Sequence, residues 1–286
     1  MTIGVFDDHP CILGEGPLWH PSRNQLFWFD IMGKRLLTRT DGGSQSWQFD
    51  RHVSAAGWVD DDTLMIATER DLIRFDVSDG TQTAIVPLEH DDPITRSNDG
   101  RADPMGGFWI GTMGKMAERG AGALYRYYKG EVRQLRDAIT IPNATCFAPD
   151  GTYALFADTA QHLVWRAALD AEGWPDGDWR VYLDHRETGI NPDGAVIDVD
   201  GNFWCAEWGG SRIAGYDARG EFIEEIALPV PQPTCPAFGG PNLKTLYITS
   251  ARQGLPGDAM DAAPLSGQTF RVETSAKGQT EHRVIL

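Results

Sequence analysis

The stretch TCFAPDGTYALFADT, residues 145–159, joins an apolar run to a β-rich run through a turn of Pro149, Asp150 and Gly151. Asp and Gly tolerate the left-handed backbone of tight turns, so this pattern predicts a β-hairpin. The same order recurs in five other segments: PLWHPSRNQLFWFDI (17–31), GWVDDDTLMIAT (57–68), RADPMGGFWIGTM (101–113), VIDVDGNFWCAEW (196–208) and AFGGPNLKTLYITSA (237–251). The apolar pairs within the second runs are 37, 44, 47, 48 and 43 residues apart. The chain is therefore a six-fold repeat.

Each repeat continues with a third strand-like run, and most offer a fourth. The third runs are RLLTRT (35–40), DLIRFDV (71–77), GALYRYY (122–128), HLVWRAAL (162–169), SRIAGYD (211–217) and QTFRVET (268–274). Four short strands repeated six times predict an all-β fold, a six-bladed β-propeller with four antiparallel strands per blade. A β-sandwich also has short strands, but it does not predict a six-fold recurrence. We expect one domain over residues 1–286, with the ring closed by residues 2–8 or 281–286.

The composition excludes several functions. The chain has 286 residues with 41 acidic and 25 basic side chains, a net charge of −16. This charge argues against nucleic acid and anionic membranes as partners. No apolar run approaches the roughly 20 residues of a membrane helix, and no signal peptide is visible at the start. Four cysteines without a CxxC pair predict buried, reduced thiols. We expect a soluble, cytoplasmic protein, whose oligomeric state the sequence does not reveal.

Aligning the hairpin turns reveals one polar position in each repeat. Six residues before the position of Pro149, every repeat carries a side-chain oxygen: Glu15, Ser54, Asn98, Asn143, Asp193 and Thr234. The first strand of each propeller blade lines the central channel, so we expect these side chains to face one another. A lone Asn or Asp is usually a turn cap. Carboxylates confined together lose hydration and repel, and a bound cation resolves both problems.

The donor types indicate the class of metal. All are hard oxygens, and no His or Cys shares the position, which favours Ca²⁺, Mg²⁺ or Mn²⁺ over a structural Zn²⁺. Loops next to the ring add Arg96 and Glu118, each of which could equally be an ordinary surface charge. The long loop 251–266 could cover the site. Together they predict a small-molecule site at the channel mouth.

Several motifs together resemble the regucalcin/gluconolactonase family over nearly the whole chain. They are GEGPLW (14–19), RSNDGRADPMGGFWIGTM (96–113), ERGAGALYR (118–126), IPNATCFAPDG (141–151), NPDGAVIDVDGNFW (191–204) and FGGPNLKTLYITSAR (238–252). The resemblance implies a six-bladed propeller with one divalent cation in the channel. It implies Glu15, Asn143 and Asp193 as metal ligands, and Arg96, Asn98 and Glu118 as substrate-binding residues.

The resemblance also implies an activity, the metal-dependent hydrolysis of a sugar lactone to the aldonic acid. Asp193 is then the candidate catalytic base. Calcium is the first choice of metal, with zinc, manganese and magnesium left open, and so is the sugar. A metal-dependent phosphotriesterase or esterase is one alternative, although such sites often add a His ligand. A non-catalytic calcium-binding propeller is the other.

Overall fold

The computed structural model describes residues 2–286, whose strands form six antiparallel four-stranded sheets. Strand β1 (Gly4–Asp7) precedes the first complete blade. The strands of the first two blades are β2 (Gly14–His20), β3 (Gln25–Asp30), β4 (Arg35–Thr40), β5 (Gly43–Gln48), β6 (Val53–Trp58), β7 (Thr63–Thr68), β8 (Asp71–Asp76) and β9 (Gln82–Pro87). Those of the third and fourth are β10 (Thr95–Ala102), β11 (Phe108–Gly114), β12 (Gly122–Tyr128), β13 (Glu131–Ile139), β14 (Pro142–Phe147), β15 (Tyr153–Asp158), β16 (Leu163–Ala168) and β17 (Arg180–Asp184). Those of the last two are β18 (Asn191–Ile197), β19 (Phe203–Trp208), β20 (Arg212–Tyr216), β21 (Phe222–Ala227), β22 (Pro233–Gly239), β23 (Thr245–Ser250) and β24 (Thr269–Glu273).

The six sheets form a closed ring, which confirms the predicted six-bladed propeller. The inner strands contact one another in the order β2, β6, β10, β14, β18, β22 and back to β2. The N-terminal strand β1 closes the ring by pairing with β24 as the outer strand of the sixth blade, with Val5 opposite Phe270. This pairing covers the edge of β24, which would otherwise be exposed.

The core lies between adjacent blades rather than inside any one sheet. The second strand of every blade is almost wholly buried, because both of its faces pack against neighbouring blades. Trp28, Trp109 and Phe203 on these strands are fully buried. The outermost strands, such as β5 and β13, expose most of their residues. The apolar pairs that marked the repeat in the sequence are thus what holds the blades together.

Each inner strand has an irregularity at the same place. The pairing register shifts at Glu15/Leu18, Val53/Ala55, Ser97/Gly100, Asn143/Cys146, Pro192/Ala195 and Pro233/Pro236. A bulge of this kind bends a strand and re-aims a side chain. All six bulges coincide with the polar ring positions, so the side chains at these positions depart from the alternating orientation of a regular strand.

The C-terminal residues do not close the ring; they cross the propeller beneath the inner strands. Gln279 donates Nε2 hydrogen bonds to the carbonyl oxygens of Phe147 and Ile197, in two different blades. Farther along, the amide of Val284 donates to the carbonyl oxygen of Trp58. The structure has one short α-helix within residues 2–286, α1 (Gly257–Ala262), and no helix there is long and apolar enough to cross a membrane.

Candidate metal and substrate site

The channel opens at one end into a cavity of about 480 Å³. Four of the six predicted ring residues line it: Glu15, Asn98, Asn143 and Asp193. The other two are buried but act within the protein framework. Ser54 Oγ donates to Ser97 Oγ at 2.8 Å, and Thr234 Oγ1 donates to the carbonyl oxygen of Gly14 at 2.5 Å. The structure thus brings together the two carboxylates and the two amides.

A chain of hydrogen bonds fixes the two amides. Asn98 Nδ2 donates to the carbonyl oxygen of Pro142 at 2.9 Å and to Asn143 Oδ1 at 3.2 Å. Asn143 Nδ2 donates to Thr159 Oγ1 at 2.7 Å, and that hydroxyl donates to the carbonyl oxygen of Pro192 at 2.6 Å. Because the chain connects blades three, four and five, the amide orientations are set before any ligand arrives.

The two carboxylates are buried, and the charge of Arg96 offsets that of Glu15 only in part. Among residues 2–286 no Lys, Arg or His forms an ion pair with Glu15 or Asp193. Burial, followed by the charge of Asp99, raises the pKa of Glu15 to about 8. Burial and the charges of Glu15 and Asp99 raise the pKa of Asp193 well above its usual range. Two buried carboxylates beside two oriented amides fit a hard divalent cation in both charge and donor chemistry.

Asp99 is a third buried carboxylate at this site, and the sequence analysis did not select it. Its Oδ2 accepts a hydrogen bond of 2.7 Å from the backbone amide of Thr145, which lies in the bulge after Asn143. Burial raises the pKa of Asp99, and the nearby charge of Arg101 opposes that rise. Asp99 was missed because the alignment took one position per repeat, whereas the bulge places two successive residues of β10 near the channel.

Arg96 lies in the cavity wall as expected. It is buried, and its Nη1 donates to the carbonyl oxygen of Ser97 at 2.9 Å and to Asn98 Oδ1 at 2.8 Å. Burial lowers the pKa of Arg96 to about 10, so the guanidinium stays charged at neutral pH. Its remaining donors are available to oxygen atoms of a ligand.

The structure does not place Glu118 among the residues that line the cavity. It is exposed, and its Oε2 accepts a hydrogen bond of 3.0 Å from the amide of Met116, which stabilises the turn after β11. From the long loop 251–266, Gln253 lines the cavity. Helix α1 in that loop has no buried residue. Substrate contact by Glu118 and a lid formed by this loop remain predictions.

A second group of potential ligands, His9, Cys11 and Asp30, lies elsewhere in the fold. Asp30 already accepts hydrogen bonds from the amides of Ile12, Leu13 and Gly33. Asp158 accepts backbone amides in the same way at the end of the equivalent strand β15. Because the repeat explains Asp30 as a loop anchor, we do not assign this group to a metal. All four cysteines are buried and free, as predicted.

The fold and the cavity define a class, a six-bladed propeller with a cavity at one end of its channel that contains two carboxylates and two amides. A sequence profile of the SMP-30/gluconolactonase/LRE-like region matches residues 13–252, and the chain belongs to this family.

Relatives of known name cover almost the entire chain. The 6-deoxy-6-sulfogluconolactonase of Pseudomonas putida is 33% identical, over 98% of this chain and 97% of its own. The L-arabinolactonase of Azospirillum brasilense is 34% identical, over 95% and 91%. The crystal structure of a calcium-binding protein, regucalcin, from Agrobacterium tumefaciens superimposes with a TM-score of 0.96 at 39% identity, covering 99% of this chain and 97% of that one.

Proposed function

We propose that this protein is a divalent-metal-dependent lactonase that hydrolyses a sugar lactone to the aldonic acid. One observation carries the proposal: the buried carboxylates Glu15 and Asp193 share a cavity with Arg96, both have raised pKa values, and neither forms an ion pair among residues 2–286. Relatives named as lactonases, at 33% and 34% identity over nearly the full chain, support the lactone as substrate.

Glu15, Asn143 and Asp193 would hold the cation, with Asn98 beside them. Calcium is the first choice because every donor is an oxygen; zinc, manganese and magnesium stay open. When bound, such a cation acts as a Lewis acid on the lactone carbonyl and offsets the charge of both carboxylates.

The chain's own residues position the substrate and move the proton. Arg96 and Asn98 bind hydroxyl groups of the sugar and fix the ring against the carboxylates. Asp193 accepts a proton from water as the water oxygen bonds to the carbonyl carbon. The bond from that carbon to the ring oxygen then breaks, and the ring oxygen leaves as a hydroxyl carrying the returned proton. The product is a hydroxy acid that ionises at neutral pH.

A pH-indicator assay with a panel of aldonolactones tests this function, because each turnover releases a proton. We expect hydrolysis above the spontaneous rate, loss of that hydrolysis in EDTA, and recovery on adding back a divalent metal. A non-catalytic role is the competing candidate, since the 39% identical regucalcin structure is described as a calcium-binding protein. If metal-loaded protein binds calcium but accelerates the hydrolysis of none of the lactones, the binding role is correct and the lactonase proposal is wrong.

A further inference from the structure

Lys115 is a second cation in the cavity wall, and the proposed reaction gives it no role. It follows β11 directly, and its backbone amide donates to the carbonyl oxygen of Ile94 at 2.8 Å, so the residue is fixed at the rim. Its Nζ donates to the carbonyl oxygen of Pro93 at 2.9 Å. The side chain is 31% exposed, and the residue lines the cavity.

Within residues 2–286, Glu69 is the one carboxylate at ion-pair distance from Lys115, and other basic groups share it. Its Oε2 lies 3.5 Å from Lys115 Nζ and also accepts a hydrogen bond from His52 Nδ1. Its other oxygen lies 3.8 Å from Arg70 Nε. The negative charge of Glu69 also raises the pKa of Arg96, in opposition to burial. Burial lowers the pKa of His52, so the charged groups near this carboxylate are Lys115, Arg70 and Arg96, and one carboxylate cannot neutralise all three.

The charge balance of the cavity therefore depends on the metal. Its wall carries the acidic side chains Glu15 and Asp193 and the basic side chains Arg96 and Lys115. A divalent cation would offset both carboxylates and leave Arg96 and Lys115 as the charged side chains of the wall, with Glu69 beside Lys115. Asp99 lies behind the wall, where Arg101, which is paired with Glu281, offsets its charge only in part. Much of the remaining surface is apolar, including Met32, Met113, Met116 and Trp208. Apolar walls lower the local dielectric and strengthen the effect of an unpaired charge.

We propose that Lys115 makes this site selective for lactones that carry an anionic substituent, such as a carboxylate, on the carbon chain outside the lactone ring. The inference rests on the proposed lactonase function. Lys115 supplies the charge-assisted hydrogen bond to that substituent, and Arg96 adds to the positive potential. Such a focus is required because the chain as a whole carries a net charge of −16, which repels anions at long range.

The test compares two lactones that differ at one carbon. D-glucaro-1,4-lactone carries a carboxylate where D-glucono-1,4-lactone carries a hydroxymethyl group. We expect a higher kcat/KM for the glucarolactone in the wild-type enzyme, decreasing as salt is added. Lys115→Met removes the charge but keeps the length, and lowers the selectivity for the glucarolactone about tenfold or more. Lys115→Arg retains most of the selectivity.

Two further variants complete the design. Lys129→Met removes a lysine from the same blade, at the β12–β13 turn away from the cavity, and leaves both rates unchanged. Glu69→Gln removes the carboxylate that competes for Lys115 and raises the preference for the glucarolactone. Equal kcat/KM values for the two lactones in the wild type, or an equal loss on both in Lys115→Met, would overturn the inference while leaving the lactonase function intact. Hydrolysis of neither lactone would overturn the inference, and it would overturn the lactonase function as well only if the whole aldonolactone panel were left unhydrolysed.

Discussion

At the scale of single residues, the site depends on like charges held close together. Glu15 and Asp193 are both buried, and burial raises the pKa of each; the charge of Asp99 raises the pKa of Glu15 further, and the charges of Glu15 and Asp99 raise that of Asp193. Without a cation this arrangement opposes folding, and with one it provides the binding energy for the metal. The same two residues therefore govern both stability and activity, in opposite directions.

Asp193→Asn is expected to abolish lactone hydrolysis, since it removes both a ligand and the proposed base. In EDTA the same variant should be more stable than the wild type, by about 1 kcal/mol or more, because it removes one of two repelling buried charges. Activity assays and thermal melts in EDTA measure the two effects. Turnover near the wild-type rate would show that Asp193 is not the base.

The stability of the metal-free protein should fall as the pH rises. The folded-state pKa of Glu15, about 8, is above its ordinary value of 4.5. Its contribution to stability is therefore complete below about pH 4.5 and lost as the pH rises through 8. The raised pKa of Asp193 acts in the same direction. Thermal melts in EDTA from pH 5 to 9 should show this decline. Glu15→Gln should weaken it, and saturating metal should remove it; a flat profile in EDTA would contradict the assignment.

At the scale of elements, the bulge in each inner strand creates the site. In β2 the bulge contains Gly16, at φ 54°. A Cβ atom there would lie 2.3 Å from the carbonyl oxygen of Ser54 in the neighbouring blade. In β14 the residue after Asn143, a proposed ligand, is Ala144, which adopts φ 57° despite its side chain. Gly16 and Ala144 both have a left-handed φ, but only glycine adopts that conformation without strain.

Gly16→Ala should destabilise the protein by about 1–3 kcal/mol and weaken metal binding, because both the positive φ and the contact with Ser54 are unfavourable. Ala144→Gly changes the matching position in the opposite direction. It should leave unfolding unchanged or raise the midpoint slightly, because it relieves a left-handed Ala. Denaturant unfolding of both variants checks the pair, and an equal effect of the two substitutions would argue against the bulge account.

At the scale of the whole molecule, the C-terminal segment links the floor of the channel to the blades. Glu281 forms an ion pair with Arg101, whose side chain is 13% exposed and sits on the inner strand β10. Trp58 Nε1 donates to the carbonyl oxygen of Glu281 at 2.9 Å. Arg101 in turn lies near Asp99, so the segment neutralises a cation directly beneath the proposed metal site.

Glu281→Gln should lower the free energy of unfolding by about 3–5 kcal/mol, because it leaves Arg101 buried without its partner. The matched control is Glu131→Gln, which breaks the exposed pair with Arg133 and should leave the unfolding midpoint unchanged. Denaturant titration measures both. Equal midpoints for the two variants would show that the Arg101–Glu281 pair does not hold the tail in place.

How far the sequence predicts this protein follows from how local each feature is. The hairpins and their six-fold spacing are local, and they were enough for the fold and for the register of Glu15, Asn98, Asn143 and Asp193. The position of Asp99 near the channel depends on the bulge in β10, which brings two successive residues there. Counting residues along the sequence does not reveal such a bulge. Lys115 pairs with Glu69, and Glu281 pairs with Arg101, so each contact joins segments that are distant in the sequence. No sequence motif predicts either pair. The position of the Glu118 side chain depends on its hydrogen bond with the backbone amide of Met116, which no sequence motif predicts.

We propose that lactone hydrolysis by this protein requires one divalent cation, held by Glu15, Asn143 and Asp193. The most direct test is a titration of chelator-treated protein with calcium, in which bound metal and hydrolysis rate are measured on the same samples. We expect one bound ion per chain and a rate that rises in proportion to occupancy, and we expect Asp193→Asn to lose both metal binding and hydrolysis. Full activity before any metal is added, or a rate independent of occupancy for every divalent ion tried, would contradict it.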